Sequence, residues 1–254
     1  MSGRAKRAVG VIPSRWGSTR FPGKSLALIA GKPLVLRVVE RARMAKRLDD
    51  VWVATDDARI FEAVEAAGAK AVMTRADHAS GTDRIAEAVA GIEADVVVNI
   101  QGDEPLIDPS LVDGVAGALL DGDGWDMATA ATPIADAREL WSPDVVKVVR
   151  AADGAALYFS RAPIPWVRGA GEGFGPVAGE HWRHVGLYGY RRAFLERLVA
   201  EPPCALENLE KLEQLRALRL GGRIKVLECA ESGVGVDSPE DVARVERLLA
   251  ERGM

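Results

Sequence analysis

Cysteine, long apolar runs and an excess of either charge are all scarce in this chain of 254 residues. The two cysteines, Cys204 and Cys229, are too few for a disulfide framework and show no metal-ligand spacing. They fit a reduced protein, although the sequence also allows a bridge between them. No run of about 18 apolar residues occurs, so we expect no membrane span.

The charge balance argues against a general attraction to nucleic acid. Lys and Arg number 33 and Asp and Glu number 37, which gives a formal net charge of −4. The basic residues 1–7 are not followed by an apolar segment of signal-peptide length. We therefore expect a cytoplasmic protein without a nucleic-acid or membrane partner. The length suits one domain over 1–254, with a smaller lobe inserted at about 133–205.

Short apolar strands alternate with segments of helical periodicity in the first half of the chain. Strands are predicted at 51–54, 69–73 and 95–100. Helices are predicted at 34–48, 56–67, 84–90 and 110–120. This alternation predicts an α/β fold with a mostly parallel, doubly wound sheet covered on both faces.

The second half of the chain predicts a mixed sheet with a small antiparallel lobe. Its predicted strands lie at 127–133, 145–150, 155–159, 183–190 and 224–227. Its predicted helices lie at 192–199, 208–220 and 239–252. Residues 160–179 are rich in glycine and proline, which predicts a long loop or lid.

A loop near the amino terminus carries the strongest chemical signal. An apolar run from Val9 to Pro13 predicts a buried strand. The loop after it contains three cations, Arg15, Arg20 and Lys24, with hydroxyl residues and glycines between them. Cations and backbone N–H groups in such a loop can bind phosphates, and the spread of the cations suits a triphosphate. The alternative is a solvated basic turn.

The same loop differs from two common nucleotide motifs. Residues 23–25 match the Gly-Lys-Ser end of a P-loop, but Ser18 stands where the first glycine is required. No Gly-x-Gly-x-x-Gly follows the strand, so a dinucleotide-binding fold is disfavoured. We expect a phosphate site of another type.

Two acidic residues at strand ends are candidate ligands for Mg²⁺. Asp103 follows the apolar strand at 95–100, and Asp237 follows a second apolar and glycine-rich stretch at 233–236. Mg²⁺ takes one or two carboxylates together with phosphate oxygens and water. Each residue also has a structural alternative, because Asp237 could cap the next helix and Asp103 could be a turn residue.

A strand at 183–190 would present a small pocket. His184 and Tyr188 share one face of that strand, and Gly186 between them leaves room for a ligand. Glu213 and its neighbour Gln214 lie on the predicted helix at 208–220, and nothing local singles them out.

Three further positions have both a binding and a structural interpretation. Arg75 and the stretch 80–82 could bind a base or ribose, but Ser80 could equally cap a helix. Arg161 could pair with a substrate carboxylate or lie at the surface.

Seven stretches, in the same order along the chain, resemble the motifs of one enzyme family. They include Ile-Pro-Ser-Arg-x-x-Ser-Thr-Arg-x-Pro-Gly-Lys at 12–24, Asn-x-Gln-Gly-Asp-Glu-Pro at 99–105 and Gly-Val-Asp-Ser-Pro-Glu-Asp at 235–241, with the others at 73–82, 156–165, 183–190 and 212–216. In these stretches the chain resembles the 3-deoxy-manno-octulosonate (Kdo) cytidylyltransferases, and the resemblance extends over about 9–248.

The resemblance implies a Rossmann-like nucleotide-diphospho-sugar transferase fold and a homodimer, with Mg²⁺ as cofactor held by Asp103 and Asp237. It implies a nucleotide site made of Arg15, Ser18, Thr19, Arg20, Lys24, Arg75, Ser80 and Gly81. It implies a sugar site made of Gln101, Arg161, His184, Tyr188, Glu213 and Gln214. The implied catalytic group is Lys24, Arg15, Asp103 and Asp237.

The implied reaction transfers CMP from CTP to the anomeric hydroxyl of Kdo and releases pyrophosphate, as lipopolysaccharide synthesis requires. One alternative is a cytidylyltransferase for a related acidic sugar such as 8-amino-Kdo. Another is a non-catalytic nucleotide-binding protein on the same fold, because fold alone does not determine function.

Overall fold

The computed structural model describes residues 4–17, 21–230 and 233–253. The strands are, in chain order, β1 (Ala8–Ser14), β2 (Leu28–Ile29), β3 (Lys32–Pro33), β4 (Asp50–Thr55), β5 (Lys70–Met73), β6 (Val96–Asn99), β7 (Met127–Pro133), β8 (Lys147–Arg150), β9 (Ala156–Ser160), β10 (Trp182–Arg191) and β11 (Ile224–Glu228). The helices are α1 (Leu34–Ala42), α2 (Ala58–Ala66), α3 (Gly81–Ala88), α4 (Pro109–Leu120), α5 (Ala137–Trp141), α6 (Arg192–Ala200), α7 (Ala205–Glu210), α8 (Gln214–Arg219) and α9 (Pro239–Glu251).

The main sheet has the strand order β11-β7-β10-β6-β1-β4-β5. Strand β1 pairs in parallel with β4 and β6, and β7 pairs in parallel with β11. Strand β10 runs antiparallel to both β6 and β7 and also pairs with β8, which in turn pairs with β9. The predicted mostly parallel α/β sheet with a small antiparallel part is therefore confirmed, while the boundaries of an inserted lobe stay a prediction.

Side chains of β1 and β6 alternate between two apolar layers. Ile12 and Val98 pack in the layer that includes α1, α4 and α9. Val11 and Val97 pack in the opposite layer, which includes α3, α6 and α8. Because helices cover both faces, these strands are nearly continuous apolar runs that end in the polar residues Ser14 and Asn99.

Two predicted helices differ from the structure. The helix predicted at 34–48 ends at Ala42. The single helix predicted at 208–220 is wrong, because Lys211 adopts a left-handed conformation with φ 55° and separates α7 from α8. The backbone N–H of Lys211 bonds to the Glu207 carbonyl, and Leu212 turns into the core. The break brings Glu213 and Gln214 to the start of α8.

In the glycine-rich segment predicted at 160–179, Ser160 ends β9 and residues 161–179 contain no helix or strand. Its Phe174 packs edge-on against Trp141 and Trp166, with ring centroids 5.2 and 5.1 Å away. Phe174 forms a small separate core with the buried Ile134 and Leu140, and Trp141 packs against it. Closure of this segment over a substrate stays a prediction.

The cysteines and the helix lengths were both the subject of predictions from the sequence. Both cysteines have free thiols. None of the helices within the described ranges combines the length and the apolar character that a bilayer crossing needs.

Two glycines of β10 allow a matched test of the packing. A Cβ atom at Gly189 would lie 2.7 Å from Val115 Cγ1 of α4, whereas one at Gly186 would meet no atom within 4 Å. We expect Gly189→Ala to lower the free energy of unfolding by about 1–3 kcal/mol through overpacking. Gly186→Ala should change it by less than about 0.5 kcal/mol. Urea unfolding measures both, and equal effects would contradict the packing of α4 on β10.

Candidate active site

A cavity of about 370 Å³ lies at the carboxyl ends of β1 and β6. Its walls come from the loop after β1, the start of α3, the loop after β6 and the residue before the cap of α9. The loop after β6 passes close to β1, and a Cβ atom at Gly102 would lie 2.7 Å from the Pro13 carbonyl oxygen. Glycine is therefore required where the loop after β6 passes β1.

Lys24 joins two carboxylates inside this cavity. Its Nζ donates to Asp103 Oδ2 at 2.6 Å, to Asp237 Oδ1 at 3.2 Å and to the Val236 carbonyl at 3.2 Å. The Lys24 side chain is 19% exposed, so it is not a solvated turn residue. Asp103 and Asp237, far apart in the sequence, thus face one cation.

The cap of α9 leaves the Asp237 carboxylate available to this cluster. Ser238 is the N-cap and forms a capping box with Asp241. The Asp241 carboxylate also accepts from the backbone N–H of Asp237. The alternative in which Asp237 caps the helix is therefore wrong.

The loop after β1 supplies a second cation to the cavity. Arg15 lines it and is exposed, and the neighbouring Ser14 donates to Ser25 Oγ at 2.8 Å. The predicted nucleotide residues Ser18, Thr19 and Arg20 lie outside the described residues.

The start of α3 forms another wall. Ser80 caps the helix in a capping box with Asp83, as the structural alternative predicted, and it also lines the cavity together with Gly81. Ser80 Oγ donates to Glu213 Oε1 at 3.3 Å. The third predicted residue of this group, Arg75, does not line this cavity. Its side chain is exposed at a neighbouring cavity and pairs with a glutamate of α3.

Sequence reasoning missed two residues of the same cavity, His78 and Arg84. His78 Nε2 contacts the Glu87 carboxylate. Arg84 is 4% exposed and pairs with Asp56 at 2.8 Å. The sequence held no signal for Arg84, because its burial and its pairing with Asp56 are seen only in the structure.

A second cavity, of about 630 Å³, holds most of the predicted sugar residues. It is lined by Gln101, His184, Tyr188, Glu213 and Gln214, and also by two cations that sequence reasoning missed, Arg183 and Lys211. Gln101 lines both cavities, so they meet at this side chain. Its Nε2 donates to the Gly186 carbonyl at 3.0 Å.

Arg161 stands apart from the other predicted sugar residues. Its Nε donates to the Glu210 carbonyl and its Nη1 to the Pro143 carbonyl, each at 2.8 Å. Its backbone N–H donates to the Glu210 carboxylate at 2.9 Å. In this structure its guanidinium therefore ties the end of α7 to the segment after α5.

Burial keeps the aromatic groups of the second cavity uncharged. It lowers the pKa of His184 to about 3, and His184 Nε2 lies 2.9 Å from Thr129 Oγ1. Burial also raises the pKa of Tyr188 well above its usual value. Neutral imidazole and phenol groups can hydrogen-bond to a polyhydroxy ligand without repelling a cation or an anion.

Glu213 connects the two cavities electrostatically. Burial raises the pKa of its carboxyl group, and the hydrogen bond from Thr82 opposes that effect. The carboxylate accepts from Thr82 Oγ1 at 2.9 Å and from Arg216 Nη2 at 3.0 Å.

The geometry defines a class of protein. Cations and paired carboxylates at the carboxyl ends of parallel strands form a site for a nucleotide phosphate chain, and a neutral polar cavity adjoins it. A protein with this fold and these two adjoining cavities is a nucleotide-dependent transferase.

Comparisons with known proteins narrow this class. A model of the cytidylyltransferase family matches residues 9–224. The chain is 50% identical over 248 residues to the 3-deoxy-manno-octulosonate cytidylyltransferase of Bdellovibrio bacteriovorus, covering 98% of this chain and 100% of that one. It is 51% identical over 246 residues to the corresponding protein of Pseudomonas syringae pv. syringae, covering 94% and 96%. This chain belongs to the cytidylyltransferase family.

Solved structures agree with this family. A CMP:2-keto-3-deoxy-manno-octonic acid synthetase complexed with CTP matches with a TM-score of 0.91 and 44% identity, covering 97% of this chain and 100% of that one. A cytidylyltransferase from Leptospira borgpetersenii, at 17% identity and a TM-score of 0.62, shares the fold. The predicted fold and family resemblance are confirmed.

Glu104, next to Asp103, makes the free energy of unfolding depend on pH. Burial, and secondarily the charge of Asp103, raise its pKa from 4.5 to about 7. Ionisation therefore opposes folding as the pH rises from about 4.5 through 7. We expect Glu104→Gln to match the native protein at pH 4.5 and to exceed its unfolding free energy at pH 8 by up to about 3 kcal/mol.

Urea unfolding at pH 4.5, 6 and 8 measures this difference. The control is Glu62→Gln at an exposed position of α2. A gain for Glu104→Gln that is the same at every pH would contradict a raised pKa.

Proposed function

We propose that this chain transfers the CMP group of CTP to the anomeric hydroxyl of Kdo and releases pyrophosphate. The observation that carries the proposal is the meeting of the two cavities at Gln101, which allows a nucleotide and a sugar acid to lie in contact. The names of relatives about half identical over nearly the full length support the same reaction.

In this proposal the first cavity holds the nucleotide. Arg15 and Lys24 neutralise phosphate oxygens, and Ser80 and Gly81 lie near the nucleoside. The cavity's content of cations and backbone N–H groups at a helix start supports this assignment. We assign Ser18, Thr19 and Arg20 to the phosphate chain on the family resemblance alone.

Asp103 and Asp237 fit a Mg²⁺ site. Both carboxylates bind the Lys24 ammonium, so the pair already converges on a positive charge. Within the described residues, no group of three or more His, Cys, Asp or Glu side chains could hold a metal by itself. Two carboxylates completed by phosphate oxygens and water suit Mg²⁺. When bound, Mg²⁺ would neutralise phosphate charge and lower the pKa of a hydroxyl group.

The reaction is an in-line displacement. The anomeric hydroxyl gives its proton to solvent as its oxygen forms a bond to the α-phosphorus, and the bond from that phosphorus to the bridging β-phosphate oxygen breaks, so pyrophosphate leaves. Such transfers depend on positioning and charge stabilisation more than on covalent chemistry by the protein. Lys24 and Arg15 stabilise charge on the phosphates and on departing pyrophosphate, while Gln101 and neutral His184 orient the sugar.

The proposal extends to a homodimer that acts in the cytoplasm in lipopolysaccharide synthesis. Large apolar side chains at Leu157 and Leu209 are 58% and 80% exposed, and an interface between copies would cover such groups. The family resemblance supports the pathway and the compartment.

A pyrophosphate-release assay tests the reaction. We expect release with CTP and Kdo together, and at least about 100-fold slower release when CTP is replaced by ATP, GTP or UTP. Other sugar acids, including 8-amino-Kdo, complete the panel. No release with CTP and Kdo, or a clear preference for another pair, would contradict the proposed function.

The carboxylate pair is tested separately. We expect Asp103→Asn and Asp237→Asn each to lower kcat by about 10²–10³-fold and to raise the Mg²⁺ concentration needed for half-maximal rate. Asp123→Asn, at an exposed position, is the matched control. Near-normal turnover of Asp103→Asn at the native Mg²⁺ requirement would contradict the metal assignment.

A further inference from the structure

A third, inner pocket of about 200 Å³ lies beside the sugar cavity. The two share Gln101, Tyr188, Glu213 and Gln214. The inner pocket is also lined by Asn99, the first residue of the 99–105 motif, to which neither the resemblance nor the proposed function assigned a role. Its volume far exceeds the roughly 30 Å³ that one water molecule occupies.

Two buried polar atoms in this pocket have no hydrogen-bond partner. They are Asn99 Oδ1 and Gln214 Nε2, and each of these residues is 4% exposed. Buried polar groups are almost always paired, because an unpaired one loses its hydrogen bond to water without replacement. One is an acceptor and the other a donor, so a bound hydroxyl group satisfies either.

The fold explains why these side chains lie together. Asn99 is the last residue of β6 and faces Tyr188 in the register with β10, so their side chains share a face of the sheet. Asn99 lies two residues after Val97, on the face that α8 covers. Gln214 begins α8 immediately after the break at Lys211. The Asn99 side chain also interacts with the Tyr190 hydroxyl.

The inner pocket and the sugar cavity, which is the outer of the two, differ in the charges of the residues that line them. Arg183 and Lys211 line the outer cavity. No Lys, Arg or His among the described residues lines the inner pocket, and the acidic residue that lines it, Glu213, also lines the outer cavity. A substrate carboxylate is therefore favoured in the outer cavity, and an uncharged hydroxylated group is favoured in the inner pocket.

We propose that the inner pocket binds the hydroxyl-bearing end of the acidic sugar remote from its carboxylate, with Asn99 accepting and Gln214 donating a hydrogen bond. This inference rests on the proposed function and makes Asn99 a specificity-determining residue. A site built to hydrogen-bond a hydroxyl rejects an analogue that lacks it, because its own polar groups then stay unpaired.

Native protein and a set of Kdo analogues, each lacking one hydroxyl, provide the first test. We expect loss of one hydroxyl remote from the carboxylate to lower kcat/KM by about 10–100-fold, with the KM for CTP within about twofold. If every such analogue reacts as well as Kdo, the inference fails. If native protein releases no pyrophosphate even with Kdo, the proposed function itself fails, which is a distinguishable result.

Variants provide the second test. Asn99→Leu and Gln214→Leu keep approximate size but remove the polar atoms, and we expect each to raise the KM for Kdo about 10–100-fold. With the sensitive deoxy analogue, variant and native proteins should differ by less than about threefold, because the contact is already absent. Thr132→Val is the control, since Thr132 is a buried polar strand residue that bonds to the Ala230 carbonyl.

Thermal unfolding measurements distinguish a variant that has lost sugar binding from one that has lost stability. If Asn99→Leu is too unstable to assay, Asn99→Ser and Gln214→Leu carry the same test. A pocket that holds only ordered water predicts altered unfolding midpoints with an unchanged KM for Kdo. That result, or an equal penalty with every sugar analogue, would overturn the inference.

Discussion

The contact of Lys24 with Asp103 and Asp237 is the interaction on which the candidate site depends. It joins the loop after β1, the loop after β6 and the residue before the cap of α9. A partly exposed ion pair contributes little to stability by itself. Its importance is geometric, because three segments far apart in the sequence must reach one point. The parallel pairing of β1 with β6 provides that point by placing two strand ends side by side.

Glu213 extends this arrangement from the phosphate side to the sugar side. Its carboxylate receives hydrogen bonds from Ser80 and Thr82 at the start of α3, and from Arg216 on α8. A ligand that moves the start of α3 therefore acts on a residue of the sugar cavity. The left-handed turn at Lys211 makes this possible, because an unbroken helix would not present Glu213 at the same place.

The sheet could be predicted because buried parallel strands are continuous apolar runs, and the strand-end rule placed Asp103 at its carboxyl edge. The strand predicted before Asp237 was wrong, because 233–236 forms no strand, and Asp237 reaches the same edge from the segment before α9. The break at Lys211 could not be predicted, since the segment around it has good helical periodicity and the break depends on burial of Leu212 against distant strands. Arg161 was selected for its charge, but its carbonyl partners lie at the end of α7 and in the segment after α5, both distant in the sequence. Local patterns contain no information about such contacts.

A buried lysine lies behind the wall of the sugar cavity and is held by backbone carbonyl groups. Lys147 of β8 is fully buried, and its ammonium donates to the backbone carbonyls of Ser142, Val145 and Arg161. Burial lowers the pKa of this amine, and the nearby positive charge of Arg161 acts in the same direction. Three carbonyl acceptors offset the loss of hydration that a buried ammonium suffers. Because Val145 lines the sugar cavity, this interior cation helps to fix the shape of the space in which the sugar must be oriented.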